Sequence, residues 1–315
     1  MMQYSTGYDI VRFYNIFVFG HHVQVTIYFS GIFLLMITLQ AAERQNDSAY
    51  TLGTGTKGEQ ALAIQQKFMA ENSYAQLKRA GLKRGMKVYD IGCGSGEMTA
   101  YLAQQVSETG RVYAVDASEE QLKLTRERIE ALKLKNVEYI QADIQTYQNW
   151  PLKEADIVYA RFVLMHLSNV KNALNNIHNL LKPGGMLSLQ ETTLSTIQSS
   201  FSSAEIGNYR DAVIALGKKN GADYNLGGKL PYICKELPFN VVYVDDLETK
   251  LKIPVGKALL IARIPELGDK IVEAKIATAE DVDGWVKIIT DLPDEDEQGY
   301  INVGNVIHIL LEKIN

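Results

Sequence analysis

The stretch "VYDIGCGSGEMT", Val88 to Thr99, places three glycines at alternate positions directly after an apolar run. Gly92, Gly94 and Gly96 carry no Cβ atom, so a ligand can approach their backbone closely. An apolar strand, a glycine-rich turn and a helix in this order are typical of a nucleotide-like ligand site. The spacing here is G-x-G-x-G, which differs from the G-x-G-x-x-G of dinucleotide-binding loops.

A carboxylate, Asp90, stands just before these glycines and discriminates among such ligands. It would face any phosphate held by the turn, and like charges a few ångströms apart are costly in a partly dry site. A ligand with a cationic end has the opposite preference. S-adenosylmethionine carries an ammonium and a sulfonium and no phosphate, so the sequence favours it over a dinucleotide.

The chain around the turn alternates between strand and helix patterns, which predicts a parallel α/β sheet wrapped by helices. Two further carboxylates end the next two predicted strands: Asp116 closes "VYAVD", 20 residues after Gly96, and Asp143 closes "YIQAD". Asp116 can accept both hydroxyls of a ribose, and Asp143 can accept an adenine amino group. Each acid alone could simply cap a turn. Together with the glycine turn, the three acids predict one adenosine-bearing cation.

In these motifs, and in "DIVYARFVLMHL" and "LKPGGMLSLQE", the chain resembles the class I S-adenosylmethionine-dependent methyltransferases, over about residues 50–314. The resemblance implies a Rossmann-like, seven-stranded, mostly parallel sheet with helices on both faces. Its reversed last strand would be "NVIHILLEKI". The resemblance also implies S-adenosylmethionine as the cofactor and a helical cap inserted after the fifth strand.

The resemblance further implies which residues hold the cofactor. They are Asp90, Gly92, Cys93, Gly94 and Ser95 at the methionine end, Asp116, Ala117 and Gln121 at the ribose, Ala142, Asp143 and Ile144 at the adenine, and Arg161 and Phe162 along the cofactor. His166, in the same segment, is a candidate general base near the transferred methyl group. The alternative is that His166 packs on the cofactor or hydrogen-bonds a loop.

The segment "YTLGTGTKGEQALAIQ" is similar to the lid of a subgroup of these enzymes that acts on small molecules. It predicts that Tyr50 and Gln65 close over the cofactor. The subgroup has an arginine where this chain has Ala61, so any contact that this arginine makes in the subgroup is in doubt here.

The acceptor is expected to be a small organic molecule. The turn after the fourth strand reads "DIVYARF" and lacks the Pro-Pro-aromatic sequence that is frequent in enzymes methylating base or amide nitrogens. The helix-rich segment after Glu191 resembles a substrate cap, in which Tyr209 and Arg210 are candidate acceptor-site residues. Tyr209 could instead belong to the core, and Arg210 could be a surface charge.

Composition limits the partners. The 315 residues are 46% hydrophobic and 22% charged, with a net charge of -5, which argues against a broad basic face for nucleic acid. Two cysteines, Cys93 and Cys234, are too few for a cysteine zinc site, and no metal is expected. We therefore expect a small-molecule acceptor and no nucleic acid as partners, and leave homodimer formation open.

The N-terminal segment differs from the rest, because residues 13–42 contain no Asp, Glu, Lys or Arg. Three interpretations stay open: an extension upstream of a start at Met36, a membrane anchor, or a secretory signal. A buried strand or helix is also compatible. We expect a cytoplasmic protein with no stable membrane contact, unless this segment is a true anchor. The expected divisions are an extension (1–45), lid helices (46–80), the cofactor core (81–193) and a cap with the last strands (194–315).

The sequence thus predicts a methyltransferase for a small organic acceptor. A protein or RNA methyltransferase and a non-catalytic, S-adenosylmethionine-binding regulatory protein are the alternatives. A nicotinamide oxidoreductase is opposed by Asp90 and by the glycine spacing.

Overall fold

The computed structural model describes residues 10–18, 21–29, 69–201, 204–294 and 298–314. Contacts divide the chain into two compact units, residues 1–47 and 48–315. In the first unit, β1 (Ile10–Val18) pairs antiparallel with β2 (His21–Phe29). The rest of the apolar N-terminal segment and the predicted lid residues Tyr50 and Gln65 lie outside the described residues.

The first half of the second unit alternates strands and helices. After α1 (residues 69–79) come β3 (Lys87–Ile91), α2 (Glu97–Val106), β4 (Arg111–Asp116), α3 (Glu119–Ala131), β5 (Val137–Gln141), β6 (Ala155–Arg161), α4 (Val170–Leu180) and β7 (Leu181–Thr193). A short 3-10 turn, Leu164–His166, lies between β6 and α4. Among the described residues, no helix combines the length and apolar character needed to cross a membrane.

The second half contains more helix. Its elements are β8 (Gln198–Ser199), α5 (Ala204–Lys219), α6 (Leu226–Cys234), β9 (Phe239–Leu247), β10 (Lys250–Lys252), α7 (Ile253–Glu273), α8 (Ala279–Asp291), β11 (Tyr300–Asn302) and β12 (Asn305–Lys313). Helices therefore occur in two insertions, before and after β9, rather than only directly after the fifth strand of the main sheet. Helix α5 packs against both α7 and α8, which brings the two insertions together.

Seven strands form one sheet in the order β5-β4-β3-β6-β7-β12-β9. The first five are mutually parallel, and β12 runs antiparallel to both of its neighbours. This confirms the predicted α/β fold and its reversed last strand. The short strands β10, β11 and β8 form a separate three-stranded sheet.

The strands are buried because helices cover both faces of the sheet. Tyr89 and Ile91 of β3 and Ile157 and Tyr159 of β6 are at most 1% exposed. Neighbouring residues of one strand point to opposite faces, so a strand covered on both sides is apolar throughout. Because β3 to β7 run in the same direction, their carboxyl ends lie at one edge of the sheet, where a ligand can bind.

A buried polar network fixes α1 on the sheet. The side chain of Gln190 on β7 accepts hydrogen bonds from Ser73 (2.9 Å) and Tyr159 (3.0 Å) and donates one to Gln76 (2.8 Å). Gln76 donates in turn to the backbone oxygen of Ile309 at 2.9 Å. Since each buried polar group has a partner, α1 has one defined position against β7 and β12.

Candidate active site

A cleft with an empty volume of about 1320 Å³ follows the carboxyl ends of β3, β4, β5 and β6. The sequence predicted a ligand at this edge. Of the predicted residues, the cleft brings together Gly92, Cys93, Gly94, Ser95, Asp116, Ala117, Ala142, Asp143, Ile144, Arg161, Phe162 and His166.

The glycine turn adopts a backbone that favours glycine. Gly92, Gly94 and Gly96 have φ angles of 67°, 55° and 84°. A Cβ atom on Gly92 would lie 2.3 Å from Cγ2 of Val163. The turn after β3 is therefore in direct contact with the loop after β6, and Gly92 has no room for a side chain.

Asp116 fastens the glycine turn to the end of β4. Its carboxylate accepts hydrogen bonds from the backbone N–H of Gly94 (3.0 Å) and of Ser118 (2.9 Å). Burial raises the pKa of Asp116, and these backbone donors partly offset the rise. A carboxylate has about four acceptor positions, so both oxygens can still accept hydroxyl donors from a ligand in the cleft.

Two predicted cofactor residues lie behind the cleft wall. Asp90 is 2% exposed and accepts a hydrogen bond from Thr99 on α2 at 2.6 Å. Burial raises its pKa to about 6, despite that hydrogen bond. Gln121 on α3 is 5% exposed, and neither side chain is among the described residues that line the cleft. Both side chains are therefore buried outside the lining of the cleft.

Gln145 orients Asp143 at the far end of the cleft. Its side-chain nitrogen lies 3.2 Å from both carboxylate oxygens of Asp143, and its backbone N–H donates to Oδ1 at 2.8 Å. Its side-chain oxygen accepts from Ser168 (3.2 Å) and from the backbone of Asn169 (2.9 Å). Gln145 thus joins the segment after β5 to the segment that precedes α4.

Glu191, on β7, holds the loop after β6. Its carboxylate accepts hydrogen bonds from the backbone N–H groups of Val163 (3.0 Å), Leu164 (2.6 Å) and Met165 (3.4 Å). Burial raises the pKa of Glu191 to about 8, although these donors lower it. Phe162, where this loop begins, has a φ of 57°, a left-handed conformation that is uncommon outside glycine. Glu191 stabilises the loop that presents Phe162 and His166.

His166 is buried at the border of the cleft. Its ring lies 5.4 Å from the ring of Tyr224 in an edge-to-face arrangement. Burial, together with the positive charge of Arg263, lowers the pKa of His166 to about 4. The imidazole is therefore neutral at neutral pH.

A second cavity, with an empty volume of about 900 Å³, lies among the inserted helices. Phe162 lines both this cavity and the cleft. Other described residues around it include Met165, Tyr209, Tyr224, Leu260 and Arg263. Phe162 therefore lies where the acid-bearing cleft and the more apolar chamber adjoin.

The two predicted acceptor residues, Tyr209 and Arg210, lie in different surroundings. Tyr209 lines the second cavity, whereas Arg210 lies outside both cavities, where its Nε atom donates to Asp211 at 2.8 Å. Successive residues on a helix point about 100° apart, so Tyr209 and Arg210 on α5 cannot share a target. The arginine that does line the cavity is Arg263 on α7.

A comparison with protein-family models matches residues 82–225 to a family described as a methyltransferase domain. The match begins before the glycine turn and ends after the segment that bears Glu191. This segment therefore has the sequence of a methyltransferase domain, as the motifs predicted.

The curated relatives of this chain include the ubiquinone/menaquinone biosynthesis C-methyltransferase UbiE of Escherichia fergusonii. It is 33% identical over 120 residues, which are 38% of this chain and 47% of the relative. The aligned part is thus about half the length of the curated relatives.

Two solved structures share the fold. Phosphoethanolamine N-methyltransferase 2 of Haemonchus contortus, in complex with S-adenosyl-L-methionine, has a TM-score of 0.55 and 19% identity, covering 89% of this chain and 63% of that one. The [4+2]-cyclase SpnF has a TM-score of 0.50 and 17% identity, covering 78% and 81% of the two chains.

S-adenosylmethionine, which the Haemonchus contortus enzyme binds, fits the residues that line the cleft of this chain. The glycine backbone at Gly92 and Gly94 offers a surface without side chains, and the carboxylates of Asp116 and Asp143 lie along the same cleft. Acidic acceptors suit ribose hydroxyls, an amino group and a cationic end, and they disfavour a phosphate.

Sequence reasoning gave no role to Glu191, Gln145 and Arg263. The sequence could have indicated Glu191, because this acid ends the apolar strand "GGMLSLQE". Gln145 follows the predicted adenine residue Asp143 by only two positions. No sequence pattern indicated that Arg263 lines a cavity, since its position depends on how α7 packs against α5.

Proposed function

We propose that this methyltransferase transfers a methyl group from S-adenosylmethionine to a small organic acceptor that occupies the second cavity. The observation that carries the proposal is the position of Phe162, which lines both the acid-bearing cleft and the apolar cavity. A cofactor in one and an acceptor in the other would meet at this residue.

S-adenosylmethionine supplies an electrophilic methyl group on a sulfonium centre. In the proposal, the glycine turn approaches the methionine end, Asp116 accepts the ribose hydroxyls and Asp143 accepts the adenine amino group. Gln145 keeps the carboxylate of Asp143 oriented. Glu191 fixes the loop that carries Phe162, and so the place where the two cavities meet.

Alignment is the main contribution of the protein to such a transfer. An acceptor atom held in line with the methyl–sulfur bond reacts in an effectively unimolecular step. Leu194, Ile197, Leu259 and Val303 make the second cavity apolar, which excludes water from the acceptor.

We assign His166 an orienting role rather than that of a general base. A base works best when its pKa lies near the working pH. The buried ring of His166, with a pKa of about 4, would take up a proton poorly at neutral pH. Its contact with Tyr224 instead makes it part of the wall between the two cavities.

Thermal unfolding of the full chain with S-adenosylmethionine, S-adenosylhomocysteine or NADH tests the cofactor. A ligand at 100 times its dissociation constant stabilises the protein by about 2.7 kcal/mol. We expect shifts with the two sulfur ligands and none with NADH. Asp116→Ala should lose the shifts, whereas Asp283→Ala, at an exposed position on α8, should keep them.

Methyl transfer itself is tested by incubating the protein with S-adenosylmethionine and a panel of small acceptors, and measuring S-adenosylhomocysteine and methylated product by mass spectrometry. The proposal expects product with at least one small acceptor. Transfer to tRNA or to protein, and to no small molecule, would contradict it and revive the alternatives.

A second function is retained, because the fold is also that of a protein described as a [4+2]-cyclase. In that case the chain would bind S-adenosylmethionine without consuming it. A clear unfolding shift with S-adenosylmethionine, combined with conversion of an acceptor that gains no methyl mass, would favour this function.

A further inference from the structure

The second cavity combines an apolar wall with one positive charge. Its described lining contains leucine, isoleucine, valine, methionine and aromatic side chains, and Arg263 is the charged residue among them. No Asp or Glu is among these described lining residues. Among the described residues, a ligand that fills the chamber therefore meets mainly apolar surface, the hydroxyl-bearing side chains of two threonines and two tyrosines, and a single guanidinium.

Arg263 belongs to the face of α7 that forms the cavity wall. Leu259, Arg263 and Leu267 are spaced four residues apart and all line the cavity. Residues at this spacing share one face of a helix. Burial raises the pKa of Tyr209 and lowers that of His166, and in both cases the charge of Arg263 contributes in the lowering direction, which agrees with a guanidinium close to these two side chains.

The chemistry of this arrangement selects a type of ligand. A guanidinium presents N–H donors in a planar fork that matches the two oxygens of a carboxylate. Transfer of an anion into an apolar chamber is costly unless a cation meets it there. An apolar cation gains nothing at Arg263, and a neutral apolar molecule uses only the chamber walls.

We propose that the second cavity takes an apolar organic acid as the acceptor, with its anionic oxygens on Arg263 and a nucleophilic atom at the opposite end of its apolar body, facing Phe162. That atom takes the methyl group as the methyl–sulfur bond breaks, S-adenosylhomocysteine leaves, and the acceptor releases a proton. This inference rests on the proposed function, since it names the acceptor class of the same site. In this proposal the arginine that binds the acceptor is Arg263 on α7, not Arg210 on α5.

The test measures binding by isothermal titration calorimetry to the full chain saturated with S-adenosylhomocysteine. The probes are 4-butylbenzoate, its neutral counterpart 4-butylbenzamide and the cationic 4-butylbenzylammonium. We expect the benzoate to bind about tenfold or more tightly than the amide, as a charge-assisted hydrogen bond provides. The cation should bind more weakly than the amide. Equal affinity of benzoate and amide would overturn the inference.

Three arginine variants locate the effect. Arg263→Met keeps the length of the side chain and removes its charge, and it should reduce benzoate affinity to that of the amide. Arg263→Lys keeps the charge without the fork and should retain part of the preference. Arg210→Met is the matched control and should leave the preference unchanged. Loss of the preference in Arg210→Met, with retention in Arg263→Met, would overturn the assignment.

Failure of this inference is distinguishable from failure of the proposed function. S-adenosylhomocysteine titrated alone reports on the cleft, and Asp116→Ala should abolish that signal. Absence of S-adenosylhomocysteine binding in the wild-type protein contradicts the proposed function. Normal S-adenosylhomocysteine binding without a benzoate preference contradicts only the acceptor class. If Arg263→Met unfolds at a much lower temperature than the wild type, the benzoate preference of Arg263→Lys still decides the outcome.

Discussion

The carboxylate of Glu191 accepts a hydrogen bond from the backbone N–H of Leu164 at 2.6 Å, across 27 positions of sequence. The same carboxylate binds the N–H groups on either side of Leu164. One side chain on β7 therefore accepts hydrogen bonds from three backbone N–H groups of the loop after β6, none of which has a backbone carbonyl as partner among the described residues. Because that loop carries Phe162, Glu191 indirectly sets the boundary between the cleft and the second cavity.

Glu191→Ala should destabilise the protein by about 2–4 kcal/mol, because it leaves buried N–H groups without an acceptor. Glu191→Gln, which keeps one acceptor oxygen, should cost less. Urea unfolding measures both free energies. Glu127→Ala, at an exposed position on α3, is the control and should stay within about 0.5 kcal/mol of the wild type. A Glu191→Ala protein as stable as this control would refute the role.

Stability should also depend on pH through Glu191. Burial raises the pKa of this carboxyl from 4.5 to about 8. Because the folded-state pKa lies above that of the unfolded chain, its stabilising contribution is complete below pH 4.5 and is lost as the pH rises to about 8. The loss can reach about 1.4 kcal/mol per pH unit. Unfolding free energies at several pH values should fall less steeply in Glu191→Gln than in the wild type, and equal slopes would contradict the prediction.

Gly92→Ala should cost more than Gly81→Ala. Both glycines have a positive φ, 67° and 79°, but a Cβ on Gly81 would meet nothing within 4 Å, whereas one on Gly92 would meet Val163. Gly81→Ala should lose about 1–2 kcal/mol from backbone strain alone, and Gly92→Ala should lose about 1–3 kcal/mol more from overpacking. Denaturant unfolding measures the difference.

The Val163→Ala background separates the two causes. Removal of the Val163 methyl groups should lower the extra cost of Gly92→Ala and leave the cost of Gly81→Ala unchanged. Costs that add without coupling would show that the two loops do not contact each other as described.

His166 should keep a neutral ring throughout the physiological range. Proton NMR of the imidazole C–H signals, with His166→Gln to identify the signal, should show no titration of His166 between pH 8 and pH 5. The physical reason is its burial beside the positive charge of Arg263. A midpoint between pH 6 and pH 7 would restore His166 as a candidate base.

Local patterns were sufficient to predict the sheet and one side of the site. Gly92, Asp116 and Asp143 each follow a recognisable strand, and parallel strands necessarily end at the same edge. Their meeting in one cleft therefore followed from the strand–helix alternation. Asp90 belongs to the same pattern but lies inside β3, before the strand ends at Ile91, and its carboxylate accepts a hydrogen bond from Thr99 on α2.

The second cavity could not be predicted in this way. Its walls come from α5, α7 and the segments next to β11, whose relative positions depend on side-chain packing rather than on a repeating pattern. Tyr209 and Arg210 are adjacent in the sequence, and only the helix rotation decides which of them meets the cavity. Arg263, more than fifty residues farther along the chain than Arg210, is the arginine that lines the cavity.

The neighbours Gln190 and Glu191 make the register of β7 matter on both faces of the sheet. Gln190 binds α1 on one side, and Glu191 binds the loop after β6 on the other. A one-residue slip of β7 would exchange these partners and release the helix and the loop in the same event. The irregularity between β6 and β7 falls at Ala155/Ile157, whereas Arg161 stays paired with Gln190. Insertions near Gly184 can therefore be absorbed at the distant end of the strand, while an insertion between Leu187 and Gln190 would dismantle both anchors.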